Sequence, residues 1–173
     1  MKRIGFYSIA AAVVALAGCS ADAITAPEPA VNLGTCTNLA APAGTKQLAR
    51  VFAKGVQVYR YDGQAWIQIT PSAVLTADSA GHQTVGMHYS GPTWEGIDGG
   101  KVVGTPAGSC TPNANAIPWL MLNAVSDGEG VFKAATFIQR VNTTGGKAPA
   151  TAGMTGEVRS IPYTAEYFFY RPL

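Results

Sequence analysis

The chain has 173 residues, of which 47% are hydrophobic and only 13% charged, with a formal net charge of +2 at pH 7. Two of its 12 basic residues, Lys2 and Arg3, lie at the extreme N-terminus, so the rest of the chain sets 10 basic against 10 acidic side chains. Such a neutral, sparsely charged chain lacks the basic stripe that counterion release requires, which argues against nucleic acid as a partner.

Lys2 and Arg3 precede an apolar run, Ile4 to Ala17, that is short for a membrane span and has the layout of an export signal. The run ends in Leu16-Ala17-Gly18-Cys19, the small-small-Cys order of a bacterial lipobox. Residues 1–18 are therefore expected to be a lipoprotein signal peptide, with Cys19 as the point of lipidation; an ordinary secretory signal with an incidental Cys is the alternative. Ser20 is not the Asp that signals inner-membrane retention, so the expected location is the bacterial cell envelope, at the outer membrane. The membrane partner would be held through the lipid, not through a basic patch. Residues 19–38, rich in Ala and Pro and with almost no large apolar side chain before Val31, have the composition of a lipidated tether. With Cys19 acylated, Cys36 and Cys110 remain as an even pair in an oxidising compartment. They are compatible with one long-range disulfide, with two buried thiols, or with a weak metal site lacking any Cys-x-x-Cys pair.

Residues 39–173 are enough for one domain with one core, and their patterning is β. Gly55 to Tyr61 alternates, Asp62-Gly63 supplies a turn, and Gln64 to Ile69 returns, which predicts a hairpin ended by Pro71. Thr84 to Ser90 is a further strand, interrupted at Gly86; Thr93 to Ile97 and Lys101 to Gly104 flank a tight Asp98-Gly99-Gly100 connection. Thr105 to Ala116 has no period and many Pro, Gly and Asn residues, hence a loop. Ile117 to Val125 is nearly continuous in apolar residues and favours a buried strand over a short helix. Val131 to Val141 then pairs back, ended by Thr143 to Gly146, where Asn142-Thr143-Thr144 matches a glycosylation pattern but fits a turn. Glu157 to Tyr170 closes the chain, with Ala165, Tyr167 and Phe169 on one face and Glu166, Phe168 and Tyr170 on the other. The expected fold is an all-β, single-domain antiparallel sandwich or barrel of many short strands.

Several of these stretches together resemble a known family. They are Gly55 to Tyr59, His88-Tyr-Ser-Gly-Pro-Thr-Trp-Glu95 with Asp98-Gly99, Ile117-Pro-Trp-Leu120, Ile138 to Thr143, Gly145-Gly146, Ala148-Pro149 and Pro162 to Tyr170. In that order they are similar to the secreted bacterial and fungal family called domain of unknown function 3455, over nearly the whole mature domain. The resemblance implies no activity and no cofactor. Independently, no Gly-x-Gly-x-x-Gly follows a strand to hold a dinucleotide. Relatives carry Cys near Tyr61 and after the Ala-Pro equivalent to Ala148-Pro149; this chain has neither, so the resemblance implies that any disulfide joins Cys36 to Cys110.

The densest chemistry lies between His88 and Gly100, where His88, Trp94, Glu95 and Asp98 fall among turn residues. If the segments around Gly91-Pro92 fold back, Trp94 would wall a pocket and His88, Glu95 and Asp98 would be its polar groups, either binding a ligand or acting as a general base. A metal would need His82 as a further ligand, and none is expected. Arg140 is placed to pair with Glu95 or Asp98 beneath that loop. Trp66, Trp94 and Trp119, with Tyr59, Tyr61 and Tyr89, would otherwise form an aromatic platform for sugar rings or lipid-like ligands, although core or core-edge packing is the favoured account of the three tryptophans. The expected function is thus a ligand-binding or structural envelope module taking a small molecule or carbohydrate. A hydrolase or lyase using His88, Glu95 and Asp98 is the alternative; no Gly-x-Ser-x-Gly supports a serine hydrolase.

Overall fold

The computed structural model describes residues 31–173; the signal segment, Cys19 and the first part of the tether lie outside the described residues. Eight strands follow in order: β1 Thr45–Tyr61, β2 Trp66–Thr76, β3 Thr84–Tyr89, β4 Thr93–Gly96, β5 Lys101–Cys110, β6 Trp119–Ser126, β7 Phe137–Gly145 and β8 Val158–Pro172. Each pairs antiparallel with its successor and β8 returns to β1, so the sheet closes into a barrel. The hairpin at the centre of β1 and β2 forms as the alternation predicts, with Tyr61 opposite Trp66. Its turn is held by the Asp62 carboxylate, which accepts from the backbone N–H groups of Gln64 and Ala65 at 2.8 Å each.

β1 begins ten residues earlier than its alternating segment suggests, because β8 pairs with it from Thr45–Pro172 through Arg60–Val158. Nor does Pro71 end β2, which runs on to Thr76. Pro71 sits opposite Gln57 of β1, while pairing with β3 starts only at Ala73, so a missing N–H at this point breaks no second ladder. The same logic carries β5 through Pro106 to Cys110, across a segment whose composition suggested a loop. β4 pairs with β5 only as far as Val103, and a register shift in the β6 pairing follows Pro106. β3 continues through Gly86, where a Cβ would stand 2.3 Å from the Glu95 carbonyl oxygen. The glycine lets β3 and β4 approach and is not a break. Val131 to Thr136, expected as the start of a strand, is instead a turn over Val131 to Ala134 followed by two irregular residues; β7 begins at Phe137.

One end of the barrel is filled. Phe132, on the β6–β7 connection, is fully buried with its ring centroid 4.3 Å from that of Phe169, and Leu75, Val102 and Ile138 pack in the same core. A second cluster lies outside the barrel wall, where Cys36 and Leu39 are buried against Met121, with Trp119 and Phe137 alongside. Gln139 anchors this segment by donating to the Leu39 carbonyl at 2.5 Å, and it accepts from the Tyr170 hydroxyl at 3.1 Å. Both faces of β8 are therefore covered: Tyr167 and Phe169 inside, Phe168 and Tyr170 outside, with the Arg50 guanidinium 5.2 Å from the Phe168 ring. The folded unit includes residues before 39 for the same reason, since the 3-10 helix Thr37–Leu39 and the Cys36–Cys110 disulfide tie this segment to β5.

That disulfide joins positions 74 residues apart. Loop entropy over such a span contributes about 4 kcal/mol. A Cys36→Ala, Cys110→Ala double variant is expected to lose stability of that order, and urea unfolding with and without reductant measures it. An unchanged midpoint in both comparisons would show that the cross-link constrains nothing.

Candidate functional site

The other end of the barrel is open. Here Gln68 to Pro71 of β2 and the β3–β4 turn border a cavity of about 280 Å³ reaching into the interior. His88 of β3 and Trp94 of β4 are inward neighbours across a strand pair, and their rings stack at 4.2 Å and 13°. Tyr167 of β8 meets both edge-on, at 5.4 Å and 5.2 Å. These three rings form the cavity floor. Trp94 lies opposite Val102 on β5, and its ring fits because the next inward residue of that strand is Gly104, where a Cβ would stand 3.0 Å from the indole.

The polar wall comes from β1 and β7. Gln57 is 1% exposed; its side-chain oxygen accepts from Gln68 and its Nε2 has no partner. Arg140 lies opposite Tyr167 in the β7–β8 register and therefore points inward. It donates from Nε and Nη2 to the Pro118 carbonyl at 3.1 and 2.8 Å and meets no carboxylate among the described residues. The Trp94 indole N–H is also buried without a hydrogen-bond partner. The Tyr163 and Tyr167 hydroxyls lie within reach of each other, and that of Tyr167 within reach of Arg140, without a well-aligned hydrogen bond. Burial pushes both tyrosines well above the ordinary phenol range, and for Tyr163 the neighbouring Tyr167 adds to it, so both remain O–H donors.

His88 is neutral. Since a carbonyl can only accept, its Nδ1 carries the proton donated to Thr93 O at 2.8 Å, leaving Nε2 as an acceptor. Burial lowers its pKa to about 4; the Thr93 bond opposes this and the Arg140 charge adds to it.

Glu95 and Asp98 do not join this site. Trp94 and Glu95 are consecutive strand residues and face opposite sides of the barrel wall. On the outer side, Glu95 accepts from the Tyr89 hydroxyl at 2.6 Å and lies 3.6 Å from the Lys101 ammonium. Asp98 accepts from the backbone N–H groups of Gly100 at 3.2 Å and Val131 at 2.7 Å, tying the β4–β5 turn to the β6–β7 connection. The ion pair expected between Arg140 and either carboxylate is accordingly replaced by the bond to Pro118. His82 is exposed on the β2–β3 connection beside Asp78, and among the described residues no three His, Cys, Asp or Glu side chains gather as metal ligands. The three tryptophans also separate: Trp66 donates to Thr151 O, Trp119 packs in the outer cluster, and Trp94 alone reaches the cavity.

Gln57 and Tyr167 were missed as site residues, and Arg140, expected as the ion-pair support of the loop, is instead part of the cavity wall. A polar Gln at an inward position between Gly55 and Tyr59 was the visible signal; the convergence of the three depends on pairing between distant strands. A larger depression of about 490 Å³ lies along β1, β2 and β8, but none of the unpartnered polar atoms faces it.

The family model described as Protein of unknown function (DUF3455) matches residues 42–171. No curated protein and no solved structure matches the chain.

The His88 shift has a signed consequence. A histidine with a depressed folded pKa destabilises the fold as pH falls from its unfolded value of 6.5 through about 4, because the unfolded chain binds the proton first. At about 1.4 kcal/mol per pKa unit the full loss is on the order of 3 kcal/mol. In His88→Phe the drop in melting temperature between pH 7 and pH 4.5 should shrink relative to wild type. Parallel pH profiles for the two proteins would remove His88 as a source of acid sensitivity.

Proposed function

This chain belongs to the DUF3455 family, and from its barrel we propose that it is a lipid-anchored envelope module that holds a small molecule in its open end. The observation that carries the binding reading is the cavity over His88, Trp94 and Tyr167, where several buried hydrogen-bond donors lack partners within an otherwise apolar wall. Native proteins seldom leave such groups unpaired, and an eight-stranded barrel is wide enough to hold one small ligand above a packed floor. The volume sits at the lower limit of small-molecule sites, about 300–1,000 Å³, which favours a compact guest over an extended sugar chain. The anchoring reading is supported by the lipobox order ending at Cys19 and by the Ala- and Pro-rich segment after it. Nothing in the geometry favours hydrolysis or elimination, since His88 is engaged with backbone while Glu95 and Asp98 are on other surfaces.

Two experiments address the two parts. Palmitate labelling and membrane fractionation of the bacterial product should show label and membrane association in wild type and neither in Cys19→Ala; equal labelling of both would refute lipid attachment at this residue. For the pocket, Ile69 lines the mouth and is half exposed, so Ile69→Trp should fold normally while blocking entry. A small molecule that raises the melting temperature of wild type should do so much less in the blocked variant, as linkage requires. Equal stabilisation of the two would place binding outside the barrel.

A further inference from the structure

The chemistry of this same cavity narrows its guest, an inference that rests on the ligand-binding reading. We propose that the barrel mouth is a receptor for a small monocarboxylate with an apolar body, its carboxylate held by Arg140 and its body lying against the Trp94 face of the cavity.

The argument begins with an inventory of donors and acceptors. A tryptophan N–H can only donate, and the Gln57 amide nitrogen is buried without a partner while its oxygen accepts from Gln68. Tyr167 adds a fully buried, protonated hydroxyl that lies beside Tyr163 and Arg140 without a well-aligned hydrogen bond to either. These three groups line the cavity, and no Asp or Glu does. Neutral His88 sets its Nε2 against these donors as an acceptor, while Arg140 adds further donors, so donors outnumber acceptors and the complementary guest presents acceptors.

Charge then selects among acceptor ligands. Arg140 has spent two N–H groups on the Pro118 carbonyl, which fixes the plane of its guanidinium and leaves further N–H groups beside the Tyr167 hydroxyl to meet a guest. Without a carboxylate beside it among the described residues, its positive charge is unbalanced next to a low-dielectric interior. A single cation balances a single negative charge. Inorganic phosphate, strongly hydrated and largely dianionic, would be stripped of water against Leu120, Leu122 and Pro92 without compensation, whereas a carboxylate joined to a hydrocarbon body matches both kinds of wall. The volume of about 280 Å³ limits that body to one ring or a short branched chain.

The test uses the purified full-length protein with three probes: benzoate, its neutral counterpart benzamide, and inorganic phosphate, each titrated by calorimetry into wild type, Arg140→Gln and Ile69→Trp. Benzoate is expected to bind wild type at least about tenfold tighter than benzamide, the size of a charge-assisted hydrogen bond. Arg140→Gln should lose about that factor for benzoate and little for benzamide. Phosphate should not bind measurably, and Ile69→Trp should weaken both organic probes. Benzamide binding as well as benzoate, or phosphate binding better, would overturn the carboxylate proposal while leaving a ligand cavity in place. Failure of both organic probes at millimolar concentration would overturn the cavity reading as well. Undiminished benzoate binding by Ile69→Trp would put the anion elsewhere and overturn the proposal. If Arg140→Gln does not fold, the comparison of benzoate with benzamide on wild type, together with Arg140→Lys, still decides the question.

Discussion

Closure of β1 against β8 is the constraint on which the rest of this molecule depends. Open, the two strands would be long edges with unpaired N–H and C=O groups over fifteen or more residues, and their inward side chains would face water. Closed, the seam runs from Thr45–Pro172 to Arg60–Val158 and makes one continuous wall. It also brings side chains from the two halves of the sequence into one interior. Gln57 and Tyr167 share a cavity with His88 and Trp94 only because the sheet returns to its starting strand.

Within that wall, the interior is divided by aromatic packing. Phe132, Phe169 and Trp94 form a chain of ring contacts from the filled end toward the middle, and His88 and Tyr167 complete the layer. Below the layer the side chains are apolar and complementary; above it they are polar and partly unpaired. The partition is rigid for a specific reason. The His88 ring is held by its stack on Trp94 and by its Nδ1–H bond to the Thr93 carbonyl, so the floor cannot rotate away without losing a buried hydrogen bond.

Period-two alternation made Gly55–Tyr61 and Ala165–Tyr170 legible in sequence, because each face of a β-strand is sampled every second residue. Asp62-Gly63 was equally legible, its role being local. Prolines were not. Whether Pro71 or Pro106 ends a strand depends on whether a second neighbour needs that N–H, and the neighbour is set by pairing far along the chain. The site was half legible: the density of His88 and Trp94 among turn residues pointed to the right turn, and the same alternation could have shown that Trp94 and Glu95 face opposite ways. What no local pattern carried was the register of β1, β7 and β8, which places Gln57, Arg140 and Tyr167 around the same space.

The unpaired donors sharpen the distinction between a structural barrel and a receptor. A buried donor without a partner costs about 1–3 kcal/mol, and replacing it by an apolar group of similar shape removes that cost. A barrel shaped only for stability would place Phe where Tyr167 and Tyr163 stand, and Met or Leu where Gln57 does, at no loss of packing. The filled end shows that this chain uses such residues where only packing is at stake: Leu75, Val102, Phe132 and Ile138 leave no polar atom behind. Among the described residues the unpartnered buried side-chain atoms belong to Gln57, Trp94, Tyr163 and Tyr167, on the side of the core that opens to solvent beside Arg140. A cost localised in this way is intelligible if the donors are held in place for a guest that satisfies them, with the orientation fixed in advance by the closed wall.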